Sequence, residues 1–334
     1  MAYVKHGLRL VITAAMLAWI ATRVDLGSVG AVLARANPSW LLAGVAINLL
    51  AIVCAAWRWQ TLLGGLGLRI RLPRLLRVVL SGAFFNMFLP SSVGGDVMKM
   101  VLIAPDLEQR EDAVSSVLMD RVVGLAVTIA VGLAAVLLLP SIWSNGPMLI
   151  SLALALLAFA AGATLLFSLR LLALAAGLTP SFIWRRVGPP VQRVQRSLLR
   201  MAHRRDLLVQ AALISVLRQV AICGSVYCAG QAFGFGLGLV AYFATVPIAV
   251  AITALPLAIN GLGLQDNALI LLLAGFGLSS AQALSLSIFL HAMRNGVGLL
   301  GGLIFALTRD RAAPAPTKTP ATPEPAGGQA ERPA

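Results

Sequence analysis

The sequence predicts an all-α integral membrane protein with about six spanning helices and two re-entrant helical hairpins in an inverted-topology repeat. Three observations carry this reading. First, 59% of the 334 residues are hydrophobic, only 11% are charged, and mean hydropathy is +0.90. A soluble domain carries roughly 25% charged residues, so the solvent for this surface is a bilayer. Second, the apolar residues gather in eight stretches: 8–22, 40–57, 75–104, 113–139, 148–169, 207–232, 239–276 and 281–307. A spanning helix needs about 20 such residues. Third, two stretches are broken, one by Leu89-Pro90-Ser91-Ser92-Val93-Gly94-Gly95-Asp96, the other between Leu255 and Asp266 by Pro256, Asn260, Gly261 and Gly263.

Charge on the loops sets the topology. Net charge is +14, from 23 Arg and 3 Lys against 12 acidic residues. Residues 58–77 hold Arg58, Arg69, Arg71, Arg74 and Arg77, and 170–206 hold eight more Arg. Both belong on the cytoplasmic side. The uncharged connection 140–147 belongs outside. A single crossing by 75–104 would put 170–206 outside as well. A hairpin that dips in and returns restores the rule, and leaves the acidic stretch 106–112 inside. The same logic makes 239–276 a second hairpin, entered from outside, with Arg309, Arg311 and both termini cytoplasmic. Lys5 and Arg9 precede an apolar run without a small-residue cleavage site, which reads as an uncleaved first helix. Segment 181–205 alternates Arg with apolar residues and is expected to lie on the inner leaflet, or else to be a solvated linker. The membrane unit runs over 1–311, and the Pro/Ala-rich tail 312–334 is expected to be disordered.

The halves, about 5–140 and 148–308, repeat three features in order. Trp57-Arg58 answers Leu217-Arg218, each break ends in Asp, and Asp120-Arg121 answers Met293-Arg294. Three spanning helices per half require opposite orientations, the design of many transporters. Backbone at a hairpin tip cannot face lipid, so two tips imply a polar cavity. Around the first break the candidate substrate-binding residues are Asn86, Pro90, Ser91, Gly94, Gly95, Asp96 and Lys99. Around the second they are Pro256, Asn260, Gly261, Gly263, Gln265 and Asp266. Asp120, Arg121, Arg218, His291, Arg294 and Asn295 lie within spans and complete the set. Charges at such depth mark function by default. Plainer roles compete: Asp96 as a helix cap or a local partner of Lys99, Asp120-Arg121 as a clamp, and Arg294 as the structural partner of Asp266. Cys54, Cys223 and Cys228 have no ligand spacing, no second His or carboxylate stands at ligand spacing from His291 on its helix, and no nucleotide loop or catalytic motif is present. No metal, cofactor or enzymatic activity is therefore expected. The scattered Arg do not form a nucleic-acid surface.

Arg58-Trp59, the run Asn86 to Asp96, Ser115-Ser116-Val117-Leu118-Met119-Asp120-Arg121 and Asn260-Gly261-Leu262-Gly263 together resemble the transmembrane, flippase-like domain of the lysylphosphatidylglycerol synthase family. The likeness runs from about 5 to 308. It implies translocation between leaflets, in a bacterial inner membrane, of an aminoacyl-phospholipid, a polyprenyl-phosphate glycolipid or a hopanoid-related lipid. It departs from the family pattern at Lys99, where Arg is more usual, and at Gln265-Asp266, which fills an acidic position. Fused members continue into a soluble aminoacyl-transfer domain, so a stand-alone member is expected to move lipid without making it, alone or beside a lipid-modifying or glycan-assembly enzyme. Two other functions share the architecture: a secondary transporter of a small anionic solute, and a membrane scaffold for such an enzyme.

Overall fold

The computed structural model describes residues 26–88, 94–138, 146–168, 177, 181–253 and 262–308, which contain helices and connections and no strand. The labelled helices are α1 (Leu26–Ala34), α2 (Pro38–Gly64), α3 (Leu72–Phe88), α4 (Gly94–Ile103), α5 (Arg110–Leu138), α6 (Gly146–Phe167), α7 (Ser181–His203), α8 (Arg205–Ala232), α9 (Leu239–Thr253), α10 (Leu264–Ala274) and α11 (Ser280–Leu307). Five are long and apolar enough to cross a membrane: α2, α5, α8, α11 and residues 149–167 of α6. They match five of the six expected spans. The sixth, 8–22, lies outside the described residues, as do the tail 312–334 and both break centres, 89–93 and 254–261.

Local chemistry sets the helix starts. The Asn37 side chain accepts from the Ser39 N–H at 3.0 Å, and Pro38 fills the first helical position of α2, where its missing N–H costs nothing. Ser279 and Gln282 close a reciprocal capping box on α11. Between those ends, outward leucines such as Leu42, Leu157, Leu213 and Leu307 are 65–74% exposed. Only lipid is a compatible neighbour for such a surface.

The stretch 75–104 is two helices folded back on each other. At about 1.5 Å per residue, α3 and α4 are some 25 and 15 Å long, short of the roughly 30 Å hydrocarbon layer. Arg74 near the start of α3 reaches Asp106 and the Leu102 carbonyl just beyond and at the end of α4. Asn86 near the end of α3 accepts from the Gly95 N–H at the start of α4. The two arms are therefore antiparallel. They approach through Gly82 and Gly95, where a Cβ on either would collide with the other's carbonyl oxygen. The stretch 239–276 is likewise two short helices, α9 and α10, packed together.

The longest seam joins α2 to α8, antiparallel along its length. The Asn37 N–H donates to the Ala232 carbonyl, Gly44 lies against Ser225, Arg58 reaches Ser215, and Gly65 meets Leu207. Each hairpin then leans on the other half. Helix α3 packs on α11, where Gly298, Gly301 and Gly302 receive Met87, Leu80 and Phe84, and α9 packs on α5 with Ile248 against Gly132. Small residues let membrane helices approach this closely.

One expectation is corrected. Helix α7 does not lay its apolar stripe on the inner leaflet along its C-terminal half. Leu198 and Met201 are buried in a cluster with Leu62, Met119 and Ala211. The acidic residues of 106–112 hold it there: Arg193 pairs with Glu111 at 2.7 Å, and Ser197 donates to Asp112 at 2.7 Å. An amphipathic pattern states that a face must be covered, not by what. These contacts gather the ends of α2, α4 and α7 and the starts of α3, α5 and α8 at one end of the bundle. Helix α1 was not anticipated; it is nine residues long and packs against α11.

Candidate functional site

Three polar clusters join the short hairpin helices and the membrane-length ones. The first ties α4 to α5. Asp96, the third residue of α4, accepts from Lys99 at 3.1 Å and pairs with Arg121 through the arginine Nε. It is buried, and among the described residues its two carboxylate oxygens go to cations. The Gly95 N–H donates to Asn86 Oδ1 at 2.7 Å, so a side chain of the first arm takes up a free N–H of the second. Gly94 is buried beside it.

The second cluster joins α2, α5 and α8. Arg58 Nε donates to Asp120 Oδ1 at 2.7 Å and Nη1 to Ser215 Oγ at 3.3 Å. Gly124, one turn beyond Asp120, leaves the space that the guanidinium fills; a Cβ there would stand 2.7 Å from Arg58 Nη1. Trp59 donates to Ser116 one turn before Asp120. Arg218 stands one turn beyond Ser215, within electrostatic reach of Arg58, Asp120 and Cys54. Its Nε is buried and has no hydrogen-bond partner among the described residues. Asp120 is thus spoken for by Arg58 and not by Arg121, although the two are adjacent in sequence.

The third cluster joins α10 to α11. Asp266 is the third residue of α10 and is 3% exposed. One oxygen accepts from the Gly263 N–H at 2.7 Å; Gly263 has φ +75, which glycine adopts at little cost. The other accepts from Ser287 Oγ and from His291 Nε2, the latter at 2.8 Å. Arg294 does not reach Asp266. It donates to His291 Nδ1 and to Gln265 Oε1, the second at 3.5 Å. This correction has a simple cause: residues 287, 291 and 294 share the face of α11 that meets α10, but Ser287 and His291 take up Asp266 while Arg294, one turn further on, meets His291 and Gln265. A neutral imidazole with its proton on Nε2 satisfies both neighbours, donating to Asp266 and accepting from Arg294. Asn295 is exposed and joins none of these bonds.

The first and third clusters answer one another. In each, the third residue of a hairpin's second arm is an aspartate, and its basic partner lies 25 residues later on the next long helix. Helices α3 and α11 run antiparallel, with Gly298 against Met87 and Gly301 against Leu80, and Arg294 lies one turn before Gly298 on α11. It is exposed at the middle of a 28-residue span. Pro90, Ser91, Pro256, Asn260 and Gly261 lie outside the described residues.

Sequence reasoning passed over Arg58, Ser215, Gly124 and Ser287 as site residues. The sequence reading groups Arg58 with the loop charges of 58–77, whereas the structure buries it inside α2. No group of three or more His, Cys, Asp or Glu residues suited to a metal occurs among the described residues.

Long apolar helices, two antiparallel or packed pairs of short ones, and charges held inside the bundle define a multi-pass α-helical membrane protein. The family model described as "Lysylphosphatidylglycerol synthase TM region" matches residues 8–302. The chain belongs to this family. No curated protein matches it.

Proposed function

We propose that this protein moves a lipid with an anionic polar headgroup between the leaflets of a bacterial inner membrane. The carrying observation is an excess of positive charge inside the helix bundle. Arg58, Arg218, Lys99 and Arg121 stand about two carboxylates, Asp96 and Asp120, and the Nε of Arg218 has no partner among the described residues. A cation inside a bilayer is costly without a partner, and a phosphate supplies both charge and acceptors. Arg294, exposed at mid-span, needs the same.

The paired geometry supports an inverted repeat. The unit α2, α3–α4, α5 answers α8, α9–α10, α11, each hairpin leans on the last helix of the other half, and each Asp finds its partner 25 residues on. The Arg74–Asp106 contact supports a first hairpin that re-enters from one face. With Arg193–Glu111 it supports a cytoplasmic placement for that end and both termini. On this reading the chain is a translocator and not an enzyme, works without a cofactor, and its partners are membrane lipids, with a lipid-modifying or glycan-assembly enzyme as the neighbour that supplies or uses them.

The test is headgroup translocation in proteoliposomes. The protein is expected to move headgroup-labelled phosphatidylglycerol at least tenfold faster than protein-free vesicles do, about 1.4 kcal/mol off the barrier. Equal rates contradict the reading. Uptake of a water-soluble anion without lipid movement assigns the fold to solute transport instead.

A further inference from the structure

Between α4 and α5 the surface opens into a groove of about 560 Å³. Met100, Val101 and Pro105 form one wall; Ala113 and Val114 form the other, with Arg110 at the mouth. Val101 is 57% exposed, so an apolar wall faces the lipid. Arg110 is exposed and makes no side-chain hydrogen bond or ion pair among the described residues. Its acidic neighbours are engaged elsewhere: Asp106 with Arg74, Glu111 with Arg193, and Asp112 with Ser197 and Arg200. Only Glu108, also exposed, stands near it without such a partner. An apolar trough with one cation at its rim has the chemistry of a phospholipid, acyl chain below and phosphate above.

The walls also lead somewhere. One turn deeper than Met100 on the same face of α4 is Asp96. Along α5, Val114, Leu118 and Arg121 follow at helical spacing, all partly buried. From Arg110 to Arg121 the helix rises about 16 Å, roughly half the hydrocarbon layer. The helix faces that line the groove thus continue along α4 and α5 to the Asp96–Arg121 pair.

We infer that this groove seats one anionic phospholipid of the cytoplasmic leaflet, phosphate on Arg110 and chain along Met100, Val101 and Val114, and is the lateral route to the Asp96–Arg121 site. The second half rests on the translocator reading; the first rests only on the orientation proposed with it. The experiment places a photoreactive benzoylphenylalanine at Val101 in the full chain, in vesicles of phosphatidylglycerol and phosphatidylcholine. Position 209 on α8, exposed and remote from the groove, serves as control. The expected result is adducts to phosphatidylglycerol exceeding those to phosphatidylcholine by about tenfold at 101, a preference reduced by Arg110→Gln and missing at 209. Equal adducts of both lipids at 101, an unaltered preference in Arg110→Gln, or adducts between two copies of the chain would overturn the seat. Val101→Trp, which fills the trough, tests the route: slowed translocation supports it, and a parent-like rate overturns it. Selective adducts in a protein that moves no lipid would uphold the seat and sink the translocator reading with its route.

Discussion

Arg58 and Asp120 meet at 2.7 Å across the α2–α5 interface, each less than a tenth exposed. Removing one partner leaves the other charge buried alone, at a cost of about 3–5 kcal/mol. Asp120→Ala is therefore expected to lower the unfolding temperature in detergent sharply and to broaden the size-exclusion peak. The double variant Arg58→Met/Asp120→Leu should recover most of the loss. A single variant as stable as the parent would show the pair to be dispensable.

Gly301 and Gly296 lie on the same helix and make opposite predictions. A Cβ on Gly301 overlaps the Leu80 carbonyl, a backbone atom that cannot rotate aside, whereas nothing lies within 4 Å of one on Gly296. Gly301→Ala should separate α3 from α11 and lower stability by about 1–3 kcal/mol, while Gly296→Ala should not lower it. Thermal unfolding of the two purified variants compares them directly.

The native cysteines Cys54, Cys223 and Cys228 are buried, so an introduced thiol is the accessible one. Cysteines at Arg71, Gln109 and His203 should be labelled by an impermeant maleimide from the same side of inverted membrane vesicles. One at Phe233, beyond the opposite end of the α2–α8 seam, should be labelled only from the other side. Labelling of 71 and 109 from opposite sides would mean that residues 72–103 cross the membrane, and would remove the hairpin and the repeat together.

Asp96 holds Lys99 and Arg121 at once. Asp96→Asn keeps the size and drops the charge, freeing both cations to hold a headgroup too long. Translocation of phosphatidylglycerol should slow by roughly tenfold while co-purified anionic lipid rises. A faster rate would assign Asp96 no part in releasing the headgroup.

Much of this fold was legible because the bilayer prescribes helix length and loop charge. Five spans fall within a few residues of their expected ends, apart from the extension of α2 to Gly64. Both breaks announced themselves through Pro90, Pro256 and the Asp that follows each. The partners were less legible. A helix apolar all round, such as α2, hides which stripe meets α8, so nothing in the residues around Arg58 foretold Asp120 and Ser215. His291 and Arg294 share one face of α11 and are both within reach of Asp266 by sequence, and only the position of α10 along that face chose between them. The stripe of α7 was read correctly as amphipathic, but its cover, Leu62 and Met119, comes from distant segments.

The central claim is that the cations within the spans hold the headgroup of a moving lipid. The most direct measurement is the translocation rate of headgroup-labelled phosphatidylglycerol by Arg218→Gln and Arg294→Gln variants that match the parent in unfolding temperature and insertion. We expect each to slow movement by at least tenfold, with the double variant near the protein-free rate. Parent-like rates in both would contradict the account.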